Sequence, residues 1–230
     1  MMRKTRGPDN RLYFDALTAF DCFLRPAAVA ASQLIILLHG HRGTGKMFFD
    51  KFTQAFPENA VVLAPNAPFP LNVDEPDGTH RYGYSWYFYD VRTQEYLLDM
   101  RHAVDFLTKG LSALKLDQME KTILGFSQGG YLALTVAAAL TNVKHVIGVG
   151  CEFVRPEFQE TPMFRVDGVH GEKDDIVSFA VGKKSHADLM AMGVRGVFHP
   201  MPDSGHAFDR PMSEKVMKIL QTRPSQTTPS

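Results

Sequence analysis

The sequence predicts an α/β fold, with a mostly parallel sheet and helices on both of its faces. Three observations carry this expectation. Apolar runs of strand length recur along the chain, they alternate with segments of helical spacing, and most are apolar throughout rather than at every second residue. Continuous apolarity suits strands covered on both faces, and alternation of strands with helices suits a parallel sheet.

The expected strands are Gln33–Leu38, Ala60–Ala64, Thr122–Phe126, His145–Val149, Phe164–Val169 and Val194–His199. Helical spacing covers Glu95–Leu114, where Leu97, Leu98, Ala103, Val104, Phe106 and Leu107 form one stripe. It also covers Gln128–Leu140, Ser178–Met192 and Ser213–Leu220, the last with Pro211 placed for a first helical turn. Leu12–Leu17 and Phe20–Leu24 read as an antiparallel hairpin on the sheet edge. No repeat or linker divides the chain, so one domain is expected over residues 1–220. The polar, proline-bearing tail at 221–230 is expected to be mobile.

Composition narrows the function classes. A chain of 230 residues with 44% hydrophobic residues can bury a substantial core. Lys+Arg and Asp+Glu both number 25, so no global field attracts nucleic acid or an anionic membrane. The two cysteines, Cys22 and Cys151, form no CxxC pair, which argues against a disulfide framework or a cysteine-rich zinc site and for a reducing cytoplasm. The basic start MMRKTRGPDNR has no apolar h-region behind it. The longest apolar stretch, Ala27 to Leu38, is interrupted by Ser32 and Gln33 and is too short to span a bilayer. Nothing in the sequence chooses between a monomer and a homodimer.

Chemistry concentrates at Gly125-Phe126-Ser127-Gln128-Gly129, a GxSxG pattern between an apolar strand and an apolar helix. In such a turn the serine sits at the top of the sheet, and the helix beginning beneath it favours developing negative charge. On its own the pattern is common, and a serine in a glycine-rich turn can merely cap a helix. The strand–turn–helix setting favours a nucleophile and, with it, an α/β-hydrolase fold. A hydroxyl needs a base to become nucleophilic, and this fold supplies an acid and then a histidine later in the chain.

Two loops meet that order. One holds Glu172, Asp174 and Asp175, and the other holds Asp203 and His206; each follows an expected strand. Of nine histidines, His199 lies inside a strand, and His39 and His170 precede glycines at strand ends, where they brace loop backbone. His80, His102, His145 and His186 lack a suitable loop position. With His41 in the early loop, His206 is left as the base.

The early loop His39-Gly40-His41-Arg42-Gly43 is placed to supply an oxyanion donor, the backbone N–H of His41, with that of Gln128 as the second. The same loop, Gly40 to Lys46, nearly matches a phosphate-binding P-loop. Met47 stands where that motif needs a magnesium-ligating hydroxyl, so nucleotide binding is not expected. Arg42, with His41 and Lys46, is a candidate contact for an anionic substrate group, against the plainer reading of solvated loop charges. Trp86, in the aromatic stretch Tyr82 to Asp90, lines an acyl pocket or belongs to the core; the sequence leaves both open. Cys151 reads as a buried, inert thiol. No cofactor or metal is expected.

Leu38-His39-Gly40, Gly125-Phe-Ser-Gln-Gly-Gly130, His170-Gly-x-x-Asp174-x-x-Val177 and Gly205-His206 together resemble the phospholipase/carboxylesterase family, which includes acyl-protein thioesterases. The resemblance spans about residues 33–220. It implies Ser127 as nucleophile, His206 as base and Asp174 as acid, because Asp174 holds the acid's place in the HGxxDxxV segment. It implies cleavage of a small-molecule or lipid ester or thioester through an acyl-enzyme. Asp175 stands where the family commonly has proline, and the HGHRGTGK loop is more basic than usual. The rival expectations are a peptidase or dienelactone-type hydrolase on the same scaffold, and a catalytically silent binding module.

Overall fold

From Leu34 to Leu38 five consecutive apolar side chains are all fully buried, as befits a strand covered on both faces. The computed structural model describes residues 18–52, 56–156 and 161–221. In chain order, its elements are β1 (Cys22–Arg25), β2 (Gln33–Leu38), α1 (Gly45–Phe49), β3 (Ala60–Pro65), β4 (Phe69–Asp74), β5 (His80–Ser85), β6 (Phe88–Asp90) and β7 (Glu95–Leu98). There follow α2 (Arg101–Ala113), β8 (Glu120–Phe126), α3 (Gln128–Ala139), β9 (Val143–Val149), β10 (Arg165–Gly171), α4 (Phe179–Ala191), β11 (Phe198–Met201) and α5 (Arg210–Gln221).

Seven strands form one sheet in the order β1-β3-β2-β8-β9-β10-β11. Every pairing is parallel except that of β1 with β3. Alternate residues of β2 divide between two cores. Leu34, Ile36 and Leu38 join Ala103, Phe106 and Leu107 of α2 and Leu132 and Val136 of α3. Ile35 and Leu37 join Phe48 of α1 and Met212 and Val216 of α5. The expected α/β architecture is therefore present. Parallel strands also bring their carboxyl ends to one edge, and the loops after β2, β8, β10 and β11 emerge there.

Some elements differ from expectation. The helix expected over Glu95–Leu114 begins only at Arg101, because Glu95–Leu98 pairs as a strand with Phe88–Asp90. The Asp99 carboxylate then accepts the Arg101 N–H at 2.9 Å where the helix opens. The last strand starts at Phe198 rather than Val194. There the carboxylate of Asp167 takes the Val197 N–H at 2.6 Å, displacing a regular ladder bond. The final helix is longer than expected, opening at Arg210, with Asp209 Oδ1 accepting the Met212 N–H at 2.9 Å. Gln221, assigned to a mobile tail, ends that helix; positions 222–230 lie outside the described residues.

β1 is an edge strand antiparallel to β3, while the hairpin partner expected at Leu12–Leu17 lies outside the described residues. A hairpin of β4 and β5, in register from Phe69↔Ser85 to Asp74↔His80, had no counterpart in the sequence reading. Its turn carries Pro76-Asp77-Gly78, with Gly78 at φ 81.

Candidate active site

β8 ends at Phe126 and α3 begins at Gln128, leaving Ser127 alone to reverse the chain, at φ 50 and ψ −118. That left-handed conformation is costly for a residue with a side chain and is held by tight packing around it. A Cβ on Gly125 would lie 2.3 Å from the carbonyl oxygen of Gly129. One on Gly129 would lie 2.1 Å from that of Leu38. Glycine is thus required at both positions for α3 to approach the sheet. The Ser127 N–H donates to Val149 O at 2.8 Å and fixes the turn to β9.

Ser127 Oγ lies 3.0 Å from His206 Nε2, and His206 Nδ1 lies 2.8 Å from Asp174 Oδ2. A carboxylate accepts, so the imidazole N–H sits on Nδ1 and its Nε2 lone pair faces the serine hydroxyl. The ring stacks on Phe126, centroids 5.3 Å apart. The Asp174 carboxylate is wholly buried and well supplied with donors. Its Oδ1 accepts the N–H groups of Ile176 at 3.0 Å and Val177 at 2.8 Å. His170 Nε2–H reaches Val177 O at 3.0 Å and Asp174 Oδ2 at 3.2 Å, so it braces the acid as well as the loop. Asp175 and Glu172 are exposed, and the exposed Asp203 pairs with Lys173 at 2.9 Å. Of the candidate carboxylates, only Asp174 is hydrogen-bonded to His206.

The acid and base loops are also tied to each other. Lys173 N donates to Ser204 O at 3.0 Å, and Glu172 N to Met201 O at 3.0 Å.

Gln128, the first residue of α3, has a backbone N–H with no acceptor inside the helix. Its side chain reaches away from that amide: Oε1 accepts Trp86 N–H at 3.0 Å, and Nε2 donates to Ser85 Oγ and Tyr87 O, each at 2.9 Å. The His41 loop is held by Arg42 N donating to Tyr84 O and Tyr84 N donating to Gly43 O, both at 3.0 Å, with Arg42 at φ 64. Burial of the ring, then the Arg42 charge, lower the His41 pKa below the ordinary histidine value.

His39 braces the base of this loop, donating from Nδ1 to Gly40 O at 2.7 Å and accepting the Ala67 N–H on Nε2 at 3.1 Å. Burial, reinforced by the His41 charge and opposed by the Gly40 hydrogen bond, lowers its pKa to about 4.

Trp86 takes the core position rather than a pocket wall. It is fully buried, its Nε1–H donates to His39 O at 2.8 Å, and its ring lies against His39. Of the two readings the sequence leaves open, full burial favours the core one. Arg42 is exposed at the loop surface. Cys151 is buried beside Gly130 and Gly148, and burial, with the charges of Glu152 and Asp174, pushes its thiol pKa well up.

The P-loop-like segment spends its polar groups internally. Thr44 Oγ1 accepts the Met47 N–H at 3.0 Å, and Gly45 N donates to Asn66 Oδ1 at 3.0 Å. Lys46 pairs with Asp50 and lies over the Phe23 ring at 5.3 Å. Among the described residues, no group of three or more His, Cys, Asp or Glu is arranged to hold a metal ion. Nor is any helix there long and apolar enough to cross a membrane.

Residues 22–223 match the family model described as Phospholipase/Carboxylesterase. Lysophospholipase-like protein 1 of Mus musculus is 24% identical over 229 residues, covering 90% of this chain and 93% of that protein. Among solved structures, esterase PE8 superposes with a TM-score of 0.70 at 24% identity, covering 87% of this chain and 97% of its own. Acyl-protein thioesterase 2 of Zea mays gives 0.67 at 19% identity, with the same two coverages of 87% and 97%.

Proposed function

This chain belongs to the phospholipase/carboxylesterase family of α/β-hydrolases, and we propose that it cleaves carboxylic esters or thioesters through an acyl-enzyme on Ser127. The observation that carries this reading is the unbroken relay from Ser127 Oγ through His206 to the buried Asp174 carboxylate.

Attack forms a bond from Ser127 Oγ to the substrate carbonyl carbon while His206 Nε2 takes the hydroxyl proton. Asp174 orients the ring and stabilises its charged form. The carbonyl oxygen becomes an oxyanion facing the N–H groups of His41 and Gln128; losing one such donor costs about 3 kcal/mol in the transition state. As the tetrahedral intermediate collapses, His206 returns the proton to the departing alcohol or thiol. Water, deprotonated by the same histidine, then releases the acid and restores the serine.

Arg42, exposed beside His41, is the group we assign to contact a phosphate or carboxylate on the substrate. Such contact makes KM for anionic esters rise steeply with salt, while KM for neutral esters stays flat. The chain is further proposed to act in the cytoplasm, a reading supported by two cysteines that are both free.

The test is initial-rate hydrolysis of p-nitrophenyl esters of graded chain length by wild type and Ser127→Ala. Loss of a working nucleophile lowers turnover by about a million-fold. A rate that survives the substitution would exclude the mechanism, and the chain-length profile of the wild type measures the acyl site.

A further inference from the structure

Ser85, the last residue of β5, is fully buried and lies far in sequence from both proposed oxyanion donors. Its hydroxyl nevertheless touches the side chains of both donor residues. His41 Nδ1 lies 3.2 Å from Ser85 Oγ, and Gln128 Nε2 lies 2.9 Å from it. The hydroxyl proton has two acceptors in reach, Tyr87 O at 2.7 Å and Gln128 Oε1 at 3.3 Å, and the shorter contact takes it.

The directions of these bonds can be assigned from their partners. Trp86 N–H can only donate, so the Gln128 atom 3.0 Å from it is the carboxamide oxygen. Tyr87 O can only accept, which places the Gln128 amino group against it at 2.9 Å. With its own proton on Tyr87 O, Ser85 Oγ accepts from Gln128 Nε2 and has a second lone pair for His41, whose Nδ1 then carries the proton. One oxygen is thereby saturated by one donation and two acceptances.

Resting on the serine-hydrolase reading above, we propose that Ser85 is a positioning residue for the oxyanion hole, locking the His41 and Gln128 amides into one fixed spacing. The need for such a lock follows from the loop itself. His41 is exposed, stands between Gly40 and an Arg42 in the left-handed region, and belongs to no helix or strand. An oxyanion donor works only within a few tenths of an ångström of its ideal position, about 2.7–3.1 Å from the charged oxygen. The β5 end holds the loop at two levels: Tyr84 through backbone bonds to Arg42 and Gly43, and Ser85 through the His41 ring. The same hydroxyl fixes the Gln128 side chain at the first residue of α3, so both halves of the hole share one reference point.

Ser85→Ala tests this cleanly because it leaves the buried partners satisfied. Tyr87 O retains Gln128 Nε2, and Gln128 Oε1 retains Trp86 N–H. The expected result is a kcat lower by about 10- to 100-fold, less than the full loss of a donor, with KM changed by less than about threefold. Phenylboronic acid, which forms a tetrahedral adduct on the serine, should lose affinity by a factor similar to that in kcat. Combining Ser85→Ala with His41→Ala, which removes the ring but keeps the amide, should lower kcat no further than Ser85→Ala alone.

Several outcomes would overturn the proposal. One is a kcat and boronate affinity in Ser85→Ala like those of wild type. A second is a loss matched by an equal rise in KM and a fall in melting temperature, which marks a structural role only. A third is full additivity in the double variant. If wild type itself shows no Ser127-dependent hydrolysis, the reading of the whole site falls and this proposal with it. An active wild type beside an unaffected Ser85→Ala enzyme rejects the Ser85 role alone.

Discussion

The Trp86 indole N–H donates to the backbone carbonyl of His39 at 2.8 Å, joining the aromatic segment after β5 to the loop after β2. Both side chains are buried and their ring centroids are 5.0 Å apart. Trp86 therefore supports the loop that carries His41 from below. Trp86→Ala should cost about 3–5 kcal/mol of stability, the usual range for emptying a buried aromatic site. Urea melts measure the loss, and esters of graded length tested at low temperature should keep their relative rates. A shifted chain-length optimum in a protein of undiminished stability would return Trp86 to the acyl site.

Neighbouring aspartates in the acid loop are expected to behave very differently. Asp174 is buried, with Oδ2 on His206 and Oδ1 on two backbone N–H groups, whereas Asp175 is exposed. Asp174→Asn should lower kcat by about 10,000-fold, since an amide cannot hold the imidazole in the required tautomer and charge. Asp175→Asn should stay within about twofold, in line with a surface site away from such features. Steady-state kinetics on a single p-nitrophenyl ester decides it. A large loss in the Asp175 variant would make it the acid in solution.

How far the sequence could be read depended on whether a residue's role is local. β2, β3, β8, β9, α3 and α4 were legible to within two residues, because apolar runs and glycine punctuation record burial directly. The serine turn was legible for the same reason: Gly125 and Gly129 mark a close approach that tolerates no Cβ. β6 and β7 were not, since Leu97 and Leu98 fit a helical stripe equally well and only pairing with Phe88–Asp90 decides between the two. Ser85 was missed because a serine before a tryptophan carries no signal; its role comes from partners at positions 41, 87 and 128. Lys121 is a similar case. It sits almost wholly buried in β8, its ammonium donating to the carbonyls of Asp117, Met119 and Thr141.

Acid should destabilise the protein in part through His39, whose pKa, like those of His41, His186 and His199, is lowered by burial. The His39 pKa falls from 6.5 to about 4 on folding, chiefly because the ring is buried. A histidine held neutral stabilises the fold fully above its unfolded pKa, and that contribution is lost as pH drops from 6.5 through about 4. The shift corresponds to about 3 kcal/mol. Protonation also removes the lone pair that accepts the Ala67 N–H. His39→Gln should be less stable at pH 7 yet lose less stability on acidification. Equal slopes for wild type and variant in urea melts between about pH 7 and 4 would exclude His39 as the source.

A second acid transition should follow from Asp167, which lies in β10 away from the proposed catalytic groups. Burial raises its pKa, but hydrogen bonds from His145 and Arg165, the His145 charge and the Val197 N–H outweigh burial and hold it at about 2. The carboxylate is fully buried, with His145 Nε2 at 2.8 Å and Arg165 Nε at 2.7 Å. For this depressed acid, as for His39, acidification removes stability: its stabilisation is complete above the unfolded value of 3.8 and is lost as pH falls through about 2. The shift amounts to about 2 kcal/mol, lost only after His39 has been protonated. Asp167→Asn breaks a buried ion pair and should cost about 3–5 kcal/mol at neutral pH. The gap between wild type and variant should stay constant down to about pH 4 and then narrow by about 2 kcal/mol towards pH 2. Thermal melts of both proteins across that range supply the measurement, and a gap that never narrows would mean that Asp167 keeps no depressed pKa in the folded protein.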